Sequence, residues 1–497
     1  MALINQATRR LDGLERPQLR SPLTLVALLV LTTVNFGWQL GSSSYYVDEV
    51  LSFNTSLTPL GGLLGVVKAR QLSPPGFYLF QHEWLYHTND RLEWVTRLPS
   101  VICGVVLVAA IYWLARLVSQ RPAVAAGAAA LAALSPFLLQ FSQLAQNYVF
   151  TSLAVTVAVA AALSAERSRN HRTSWLVASL IAAGVALCLH YTAALIVAPL
   201  CVRIAINPLF ALRERVTFVG VCAAVQAALI PIMVAQQNAN GGRADVANAA
   251  DLSFTSASRV IAGPFAGRVD PLRAVGVAVV LISLLALLIR KVRGRSALGR
   301  SGGGFVAAVA FGEPLALLVL SGFGARLALG RYAAVAVPML VIAIALAAAT
   351  LPKPAAWALV LAALVVSALG LVGSHRASGF YADARGVIRY VDGTRHASDA
   401  VLTPDSPGIT LPLRQYADLV STPPIPVAVF GSAEATTFRA RHRRLWIVSD
   451  LTGLHITTRT LLRVEQRLAR GIGYRSLEPR IFHSVVPLAV SLWVPRP

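Results

Sequence analysis

About eleven long apolar runs constrain the fold of this chain more than any other feature of its sequence. Each run has enough residues to cross roughly 30 Å of hydrocarbon as an α-helix. Hydrophobic residues make up 56% of the chain and charged residues 13%, with a mean hydropathy of +0.63, and soluble domains rarely combine these values. The composition predicts a polytopic α-helical membrane protein, with helices over residues 23–40, 98–115, 122–139, 148–164, 174–190, 191–207, 216–235, 272–290, 303–322, 332–350 and 355–373.

The distribution of basic residues predicts the orientation of the chain. Arg9, Arg10, Arg16 and Arg20 precede the first run, which places the N-terminus in the cytoplasm under the positive-inside rule. Every second gap between the predicted helices is also rich in Lys and Arg, as expected of cytoplasmic loops, although the two longer outward loops hold basic residues as well. We therefore expect a multi-pass protein of the cell membrane whose C-terminus lies outside. The basic residues of the predicted cytoplasmic gaps are Arg116, Arg121, Arg167, Arg169, Arg172, Arg203, Arg213, Arg215, Arg290, Lys291, Arg293, Arg295, Arg300 and Lys353.

The net charge and the cysteines argue against two other classes of function. A formal net charge of +22 suggests nucleic-acid binding. Many of the basic residues, however, lie in the gaps between apolar runs on one predicted side of the membrane, so no nucleic-acid partner is expected. The four cysteines all fall inside apolar runs, which predicts neither a disulfide framework nor a metal site.

A change in composition predicts two domains. Residues 1–374 form a transmembrane domain with its first outer loop at 41–97, and residues 375–497 form a small extracytoplasmic α/β domain. The second domain could cap a site, grip an acceptor or stabilise the fold. Its predicted strands and its amphipathic helix are Ala400–Thr403, Pro426–Phe430, Leu445–Val448, Val485–Val490 and Thr457–Arg470.

The pair Asp48-Glu49 is the leading candidate for chemistry, because it lies about eight residues beyond the first run, at the predicted outer surface. A carboxylate there can act as a base or a metal ligand toward a lipid-carried substrate. A solvated loop pair, or a helix N-cap with an acidic first turn, is the simpler explanation of the pair. Further along, Ser73–Trp84 predicts a proline-initiated interfacial helix, on which His82 either bonds a phosphate or sits at headgroup level.

Several short motifs, in order and with consistent sidedness, resemble one enzyme superfamily. The chain resembles the GT-C membrane glycosyltransferases, and most closely the branch that contains family 39 (protein mannosyltransferase-like) and the actinobacterial RgtA/B/C/D-like proteins. The motifs are Pro74-Pro75-x-x-Tyr78-x-x-x-His82-x-Trp84, Arg97-Leu98-Pro99-Ser100, Ser135-Pro136-Phe137, Leu189-His190-Tyr191, Arg331-Tyr332 with Pro338, and Arg414-Gln415-Tyr416.

This resemblance implies a GT-C-like fold and an inverting transfer of a sugar from a polyprenyl phosphate donor. The acceptor would be an extracytoplasmic glycan, lipid or protein of the cell envelope, and the enzyme a hexosyl- or pentosyltransferase. Asp48 would match the catalytic general base of the family, and Glu49 would support it by orienting the acceptor or modulating the pKa of Asp48. The partners implied are therefore the lipid-linked donor, the surrounding membrane lipid and the acceptor.

The leaving phosphate requires fixed positive charge. Arg331 is the first candidate to bind it, while an interfacial arginine whose stem snorkels is the simpler interpretation. His190 and Tyr191 either reach the same phosphate or form a satisfied polar pair between helices. The predicted donor-binding residues are Arg331, Tyr332, His190, Tyr191, His82 and Arg326.

One segment departs from the family pattern. Many members have Ser-Gln-Glu-Ala-Arg-x-Tyr where this chain has Ser142-Gln-Leu-Ala-Gln-Asn-Tyr148, so that Leu144 and Gln146 replace an acidic and a basic residue. No second acidic motif supports a divalent cation, and no metal site or other cofactor is predicted. The residues expected to contact acceptor or sugar here are Gln143, Gln146, Asn147 and Tyr148.

Two alternatives from other classes stay open. A non-catalytic scaffold with the same fold would account for the altered segment at 142–148. A transporter or flippase of a lipid-linked glycan would have polar residues distributed along a path across the bilayer. Glu313-Pro314 lies inside a predicted span, where a carboxylate is costly and often functional, and a proton-coupled transporter would use such a residue, but it is a single deep acid and no inverted repeat accompanies it. The polar groups gather at the predicted outer face, however, rather than along a path across the bilayer.

Overall fold

The computed structural model divides the chain into two compact units. A helical unit comprises Met1–Trp38, Thr55–Asp90 and Val95–Ser374, and a mixed unit comprises Gln39–Asn54, Arg91–Trp94 and His375–Pro497. The structure describes residues 22–168, 170–240, 253–267, 269–292, 302–325, 327, 329–376, 382–429, 432–441, 444–451, 474–477, 479–484 and 486–495.

Sixteen α-helices occupy the described residues up to position 376. They are α1 (Pro22–Gly37), α2 (Val47–Ser56), α3 (Leu60–Arg70), α4 (Gly76–Thr88), α5 (Glu93–Ser119), α6 (Pro122–Ala133), α7 (Pro136–Ser142), α8 (Tyr148–Arg167), α9 (Arg172–Leu189), α10 (Ala194–Ile206), α11 (Leu212–Asn240), α12 (Phe254–Ala266), α13 (Asp270–Val292), α14 (Gly303–Leu320), α15 (Val337–Ala348) and α16 (Lys353–Arg376). Short 3₁₀ segments at Tyr191–Ala193 and Gly330–Ala336 precede α10 and α15.

The helices confirm a multi-pass membrane protein. Within the described residues, eight helical stretches are long and apolar enough to cross a membrane singly, and the bent pair α6–α7 makes a ninth. Two shorter apolar helices, Pro22–Gly37 and Tyr191–Ile206, lie where the sequence predicted the first and sixth spans. The predicted division at His190-Tyr191 is confirmed, because α9 ends at Leu189 and a 3₁₀ turn begins at Tyr191.

The third predicted span, 122–139, differs from a single straight helix. Its two halves, α6 and α7, meet at an angle of 59°. Pro136 causes the break, since proline lacks an N–H and disfavours helical geometry at the preceding residue. Ser135 starts the second half by accepting the Leu138 N–H at 3.3 Å, and it donates to the carbonyl of Pro264 at 2.7 Å.

An ion pair joins α8 to α10 inside the helical unit. Arg203 donates from Nε to Oε1 of Glu166 at 2.8 Å and from Nη2 to Oε2 at 2.6 Å, and Asn207 donates to Oε1 at 3.1 Å. The side chains are 21% and 11% exposed. Such a bidentate ion pair holds α8 and α10 in register, because the guanidinium and carboxylate groups match each other geometrically.

We expect Arg203→Ala to destabilise the protein by about 2 kcal/mol, because the mostly buried Glu166 carboxylate loses its charged partner. The thermal unfolding midpoint in detergent measures this. The matched control is Glu434→Ala, whose partner Arg414 lies 3.0 Å away with both side chains about half exposed, and exposed pairs contribute about 0–1 kcal/mol. Equal midpoints for the two variants would contradict a structural role for the buried pair.

The mixed unit contains a six-stranded sheet in the order β2-β1-β3-β6-β4, with β5 also paired to β6. Strand β1 runs parallel to β2 and β3, and the remaining pairs are antiparallel. The elements are α17 (Ala384–Thr394), β1 (Ala400–Thr403), α18 (Pro407–Val420), β2 (Val427–Val429), α19 (Ala433–Arg441), β3 (Leu445–Asp450), β4 (Tyr474–Ser476), β5 (Arg480–Phe482) and β6 (Leu488–Pro495).

The strands confirm the α/β character predicted for this part of the chain. The first three predicted strands coincide with β1, β2 and β3, whereas the fourth begins at Leu488, three residues later than predicted. The predicted helix Thr457–Arg470 lies outside the described residues.

One face of the sheet is covered by α17 and α18. Helix α17 buries Ala384, Val387, Ile388 and Val391, whose spacing of three and four residues forms a single apolar stripe. Tyr45 and Val50, from the segment that carries the acidic pair, are buried in the same core. Residues near the start of the sequence therefore complete the hydrophobic core of the C-terminal domain.

Candidate active site

The two acidic residues of the leading motif have different environments. Asp48 and Glu49 both lie in the first turn of α2. Glu49 is fully buried, and its Oε2 accepts the N–H of Tyr46 at 2.9 Å, which is the return half of a helix capping box. Asp48 is only partly buried. Of the pair, Asp48 thus presents the more accessible carboxylate, while Glu49 secures the start of the helix.

His190 lies in the turn between α9 and the following 3₁₀ segment, and it is buried. Its Nδ1 accepts the N–H of Thr192 at 3.2 Å and lies 2.8 Å from the Thr192 hydroxyl. An Nδ1 that accepts a backbone N–H carries no proton, so the neutral ring carries its proton on Nε2. Burial, and secondarily the positive charge of Arg331, lowers the pKa of His190 to about 4. The ring is therefore a neutral hydrogen-bond donor at physiological pH.

Three other predicted site residues come together around this imidazole. The ring of His190 lies 5.4 Å from that of Tyr148 and 5.6 Å from that of Tyr332, measured between centroids. The guanidinium of Arg331 lies 5.7 Å from the Tyr332 centroid, within the range of a cation–π contact. We name Tyr148, His190, Arg331 and Tyr332 the His190 cluster. It combines a permanent cation with a neutral donor, which suits an anionic ligand.

The 3₁₀ segment Gly330–Ala336 places Arg331 and Tyr332 in this cluster. Gly330 packs so closely on the chain that a Cβ there would lie 3.2 Å from the carbonyl oxygen of Arg259. The Oγ of Ser152 lies 2.9 Å from the carbonyl oxygen of Ala334, which ties the segment to α8. Arg326, the other arginine predicted to bind phosphate, lies outside the described residues.

The pH dependence of stability tests the neutral state of His190. In the unfolded chain a histidine has a pKa of about 6.5, so as the pH falls from 6.5 toward 4 the unfolded state gains a proton that the folded state excludes. At pH 5 this amounts to about 2 kcal/mol of lost stability relative to pH 7. We expect the thermal midpoint in detergent to fall more steeply with acidity for the wild type than for His190→Asn.

The asparagine variant is the appropriate control because its side-chain oxygen can accept the Thr192 N–H, as Nδ1 does, but cannot titrate. Parallel midpoint curves for the two proteins between pH 7 and pH 5 would show that His190 is not held neutral.

Tyr191 and His82 are predicted donor-binding residues that make specific protein contacts. The hydroxyl of Tyr191 donates to Oε1 of Gln236 at 2.8 Å, and Nε2 of Gln236 donates to the carbonyl of Ser73 at 2.8 Å. The Nδ1 of His82 lies 2.7 Å from the carbonyl oxygen of Ser56, so it must be the donor. Tyr191 thus connects to the loop before α4, and His82 connects α4 to the end of α2.

The segment that departs from the family pattern supplies caps for two helices. Gln143 donates from Nε2 to the carbonyls of Phe36 and Trp38 at 3.1 and 2.7 Å, at the end of α1. Asn147 donates to the carbonyl of Leu189 at 2.7 Å, at the end of α9. These amides satisfy carbonyls that have no partner within their own helices. Gln146 is also buried.

Two further polar features bear on the chemistry. Within the described residues, no three His, Cys, Asp or Glu side chains lie close enough together to hold a metal ion. Glu313 is buried within α14, and neither of its carboxylate oxygens has a hydrogen-bond partner in the part of the chain that the structure describes.

Comparison with known proteins agrees with the motifs. Residues 73–234 match the family model described as dolichyl-phosphate-mannose-protein mannosyltransferase. No curated protein matches the sequence significantly. ArnT from Cupriavidus metallidurans in the apo state superimposes with a TM-score of 0.53 at 14% identity, over 94% of this chain and 97% of that chain.

Two further structures are similar. ArnT from the same organism bound to undecaprenyl phosphate gives a TM-score of 0.51 at 14% identity, over 94% of this chain and 97% of that one. The archaeal oligosaccharyltransferase AglB from Archaeoglobus fulgidus, in complex with an inhibitory peptide and a dolichol-phosphate, gives 0.51 at 12% identity, over 88% of this chain and 70% of that one. The chain therefore has the fold of the GT-C membrane glycosyltransferases, as its motifs predicted.

Proposed function

We propose that this protein is an inverting glycosyltransferase that moves a sugar from a polyprenyl phosphate to an extracytoplasmic acceptor of the cell envelope. The observation that carries the proposal is the GT-C fold over 94% of the chain, shared with ArnT, whose structure has been solved with undecaprenyl phosphate. The dolichol-phosphate in the AglB complex gives the same class of lipid. In this proposal the N-terminus is cytoplasmic and the C-terminal domain extracytoplasmic.

The proposed chemistry assigns the base to Asp48. A hydroxyl of the acceptor gives its proton to the Asp48 carboxylate while its oxygen attacks the anomeric carbon of the donor sugar. The bond from that carbon to the phosphate oxygen breaks, and the polyprenyl phosphate leaves with the electron pair. A single displacement of this kind inverts the anomeric configuration. Glu49 contributes by holding the start of α2 through the Tyr46 N–H.

The proposed phosphate site is the His190 cluster. Arg331 keeps its charge at any physiological pH and would neutralise the leaving phosphate. His190 would donate from Nε2, because Nδ1 is committed to Thr192. A neutral donor beside a permanent cation favours an anion without requiring the imidazole to titrate.

Transfer from labelled lipid donors tests the proposal. Purified protein in detergent or liposomes is incubated with a panel of radiolabelled polyprenyl-phosphate hexoses and pentoses and with extracted envelope lipids and glycans. We expect one donor to yield a labelled product with inverted anomeric configuration and free polyprenyl phosphate, whereas nucleotide sugars yield none. A folded protein that transfers from no donor would support the non-catalytic scaffold. Movement of lipid-linked glycan between leaflets without transfer would support a flippase.

A further inference from the structure

The segment that carries Asp48 is built into the core of the mixed unit. Tyr45 is almost fully buried, and its ring stacks on Tyr416 of α18 at a centroid distance of 5.9 Å. The same ring lies 5.7 Å from that of Phe53 in α2. A buried aromatic side chain packed against two other rings has little freedom to move.

Polar contacts fix the backbone of the same segment. The N–H of Tyr45 donates to the hydroxyl of Tyr416 at 2.8 Å, and this hydroxyl donates to Oε1 of Glu93 at 2.6 Å. The Tyr416 hydroxyl thus donates to a carboxylate and accepts from a backbone N–H. The hydroxyl of Tyr45 in turn donates to the carbonyl of Arg91 at 2.8 Å, next to Glu93 along the chain.

Arg385, in the first turn of α17, completes the network. Its Nη1 lies 2.9 Å from both Oε1 of Glu93 and the carbonyl oxygen of Gly41, and its Nη2 donates to the carbonyl of Ser42 at 2.5 Å. The Arg385 and Glu93 side chains are only 19% and 7% exposed. The planar guanidinium is the side chain best suited to bridge a carboxylate and two carbonyls at once.

Ser44, which lies between Gly41 and Tyr45 in the sequence, makes a second contact to α17. The Oγ of Ser44 accepts the N–H of Arg385 at 3.0 Å and donates to Oδ1 of Asp383 at 3.1 Å. Asp383 also caps α17 by accepting the Gly386 N–H at 2.9 Å. Residues 41, 42, 44 and 45 are therefore each hydrogen-bonded to α17 or α18.

We infer that the C-terminal α/β domain sets the position of the general base, with Arg385, Glu93 and Tyr416 as positioning residues. Asp48 comes three residues after Tyr45, so contacts that fix the backbone at 41–45 also fix the start of α2. This inference rests on the proposed function only for the role of Asp48. It assigns the domain a task beyond capping the site or gripping the acceptor.

Three variants and one control test the inference in the full-length protein. Arg385→Ala removes the guanidinium, whereas Arg385→Lys keeps the charge but loses the planar group with its several N–H donors. Tyr416→Phe keeps the ring stacking but loses the hydroxyl. Arg414→Lys is the control, because Arg414 belongs to α18 but contacts Glu434 and the carbonyl of Val427 rather than residues 39–54. Hydrogen–deuterium exchange of peptides covering residues 39–54 is measured with kcat and the donor KM.

We expect Arg385→Ala and Tyr416→Phe to speed exchange across 39–54 and to lower kcat by about 10- to 100-fold, since a displacement of about 1 Å at a reacting group can cost 100-fold. The donor KM should change less than about twofold if only the transition state loses a positioned base. Arg385→Lys should recover part of kcat, and Arg414→Lys should match the wild type in both measurements.

Peptides from β3 provide the internal reference, because they report unfolding of the whole domain. Faster exchange in β3 as well as in 39–54, or unchanged kcat despite faster exchange in 39–54, would overturn the positioning role. Unchanged exchange in Arg385→Ala would overturn it too. If the wild type transfers no sugar, the proposed function fails, while the exchange data still decide whether α17 and α18 hold this segment.

Discussion

Replacing Asp48 with asparagine is expected to lower kcat for sugar transfer by about 10²- to 10⁴-fold, the usual contribution of a general base. The substitution keeps the size and shape of the side chain but removes its ability to take the acceptor proton. Asp48 is partly exposed in the first turn of α2, so the exchange should not disturb the core of the mixed unit. Initial rates with a labelled donor, at saturating acceptor, measure the effect.

Glu49→Gln is the matched control for this prediction. The glutamine amide oxygen can still accept the Tyr46 N–H, so the start of α2 should be retained and the rate should fall much less than for Asp48→Asn. An equal thermal midpoint for the wild type and Asp48→Asn establishes that the loss is chemical. If Asp48→Asn keeps more than about a tenth of the wild-type rate, Asp48 is not the general base.

Replacing Arg331 with glutamine is expected to lower kcat by about 10²- to 10³-fold, because the leaving phosphate loses its counter-charge in the transition state. The same change should weaken binding of free polyprenyl phosphate, the product that carries the charge. Arg331→Lys keeps a positive charge without the planar fork and should recover part of the rate. Transfer rates and displacement of a labelled polyprenyl phosphate measure the two effects.

Arg414→Gln is the control for charge, because it removes a half-exposed arginine of the C-terminal domain that pairs with Glu434. It should leave both the transfer rate and lipid binding unchanged. Normal affinity of Arg331→Gln for polyprenyl phosphate would show that the cation next to Tyr332 serves packing alone, as an interfacial arginine does.

The membrane helices were predictable because their signal is local. A run of apolar residues such as 355–373 specifies a helix without reference to the rest of the chain. The turn at His190-Tyr191 was predictable for a similar reason, since the apolar stretch was too long for one helix. The bend at Pro136 was not predicted, although the proline itself signals it.

The grouping of residues 39–54 with the C-terminal domain was not predicted. No local pattern indicates that Tyr45 packs on Tyr416 or that Glu93 pairs with Arg385, because both contacts join distant parts of the chain. Tyr416 belongs to the Arg414-Gln415-Tyr416 motif, so the sequence marked the residue without revealing its partner.

The candidate site was only partly predictable, because contacts between distant parts of the chain leave no local pattern in the sequence. The sequence placed His190, Arg331 and Tyr332 among the candidates, and the structure brings them together. It did not reveal that the amides of Gln143 and Asn147 cap helix ends, since the carbonyls they satisfy come from α1 and α9. It distinguished Asp48 from Glu49 only through the family resemblance and did not reveal that Glu49 accepts the Tyr46 N–H, because Tyr46 is not a typical N-cap residue.

The pairing of early and late residues has a consequence for biosynthesis. Glu93 and Arg385 are 292 positions apart, and Tyr45 and Tyr416 are 371 positions apart. The ribosome therefore makes the carboxylate-bearing segment and the first spans long before it makes the side chains that fix that segment. A nascent chain that stops before α18 lacks the Tyr416 contact, so this arrangement of the segment is completed only late in translation.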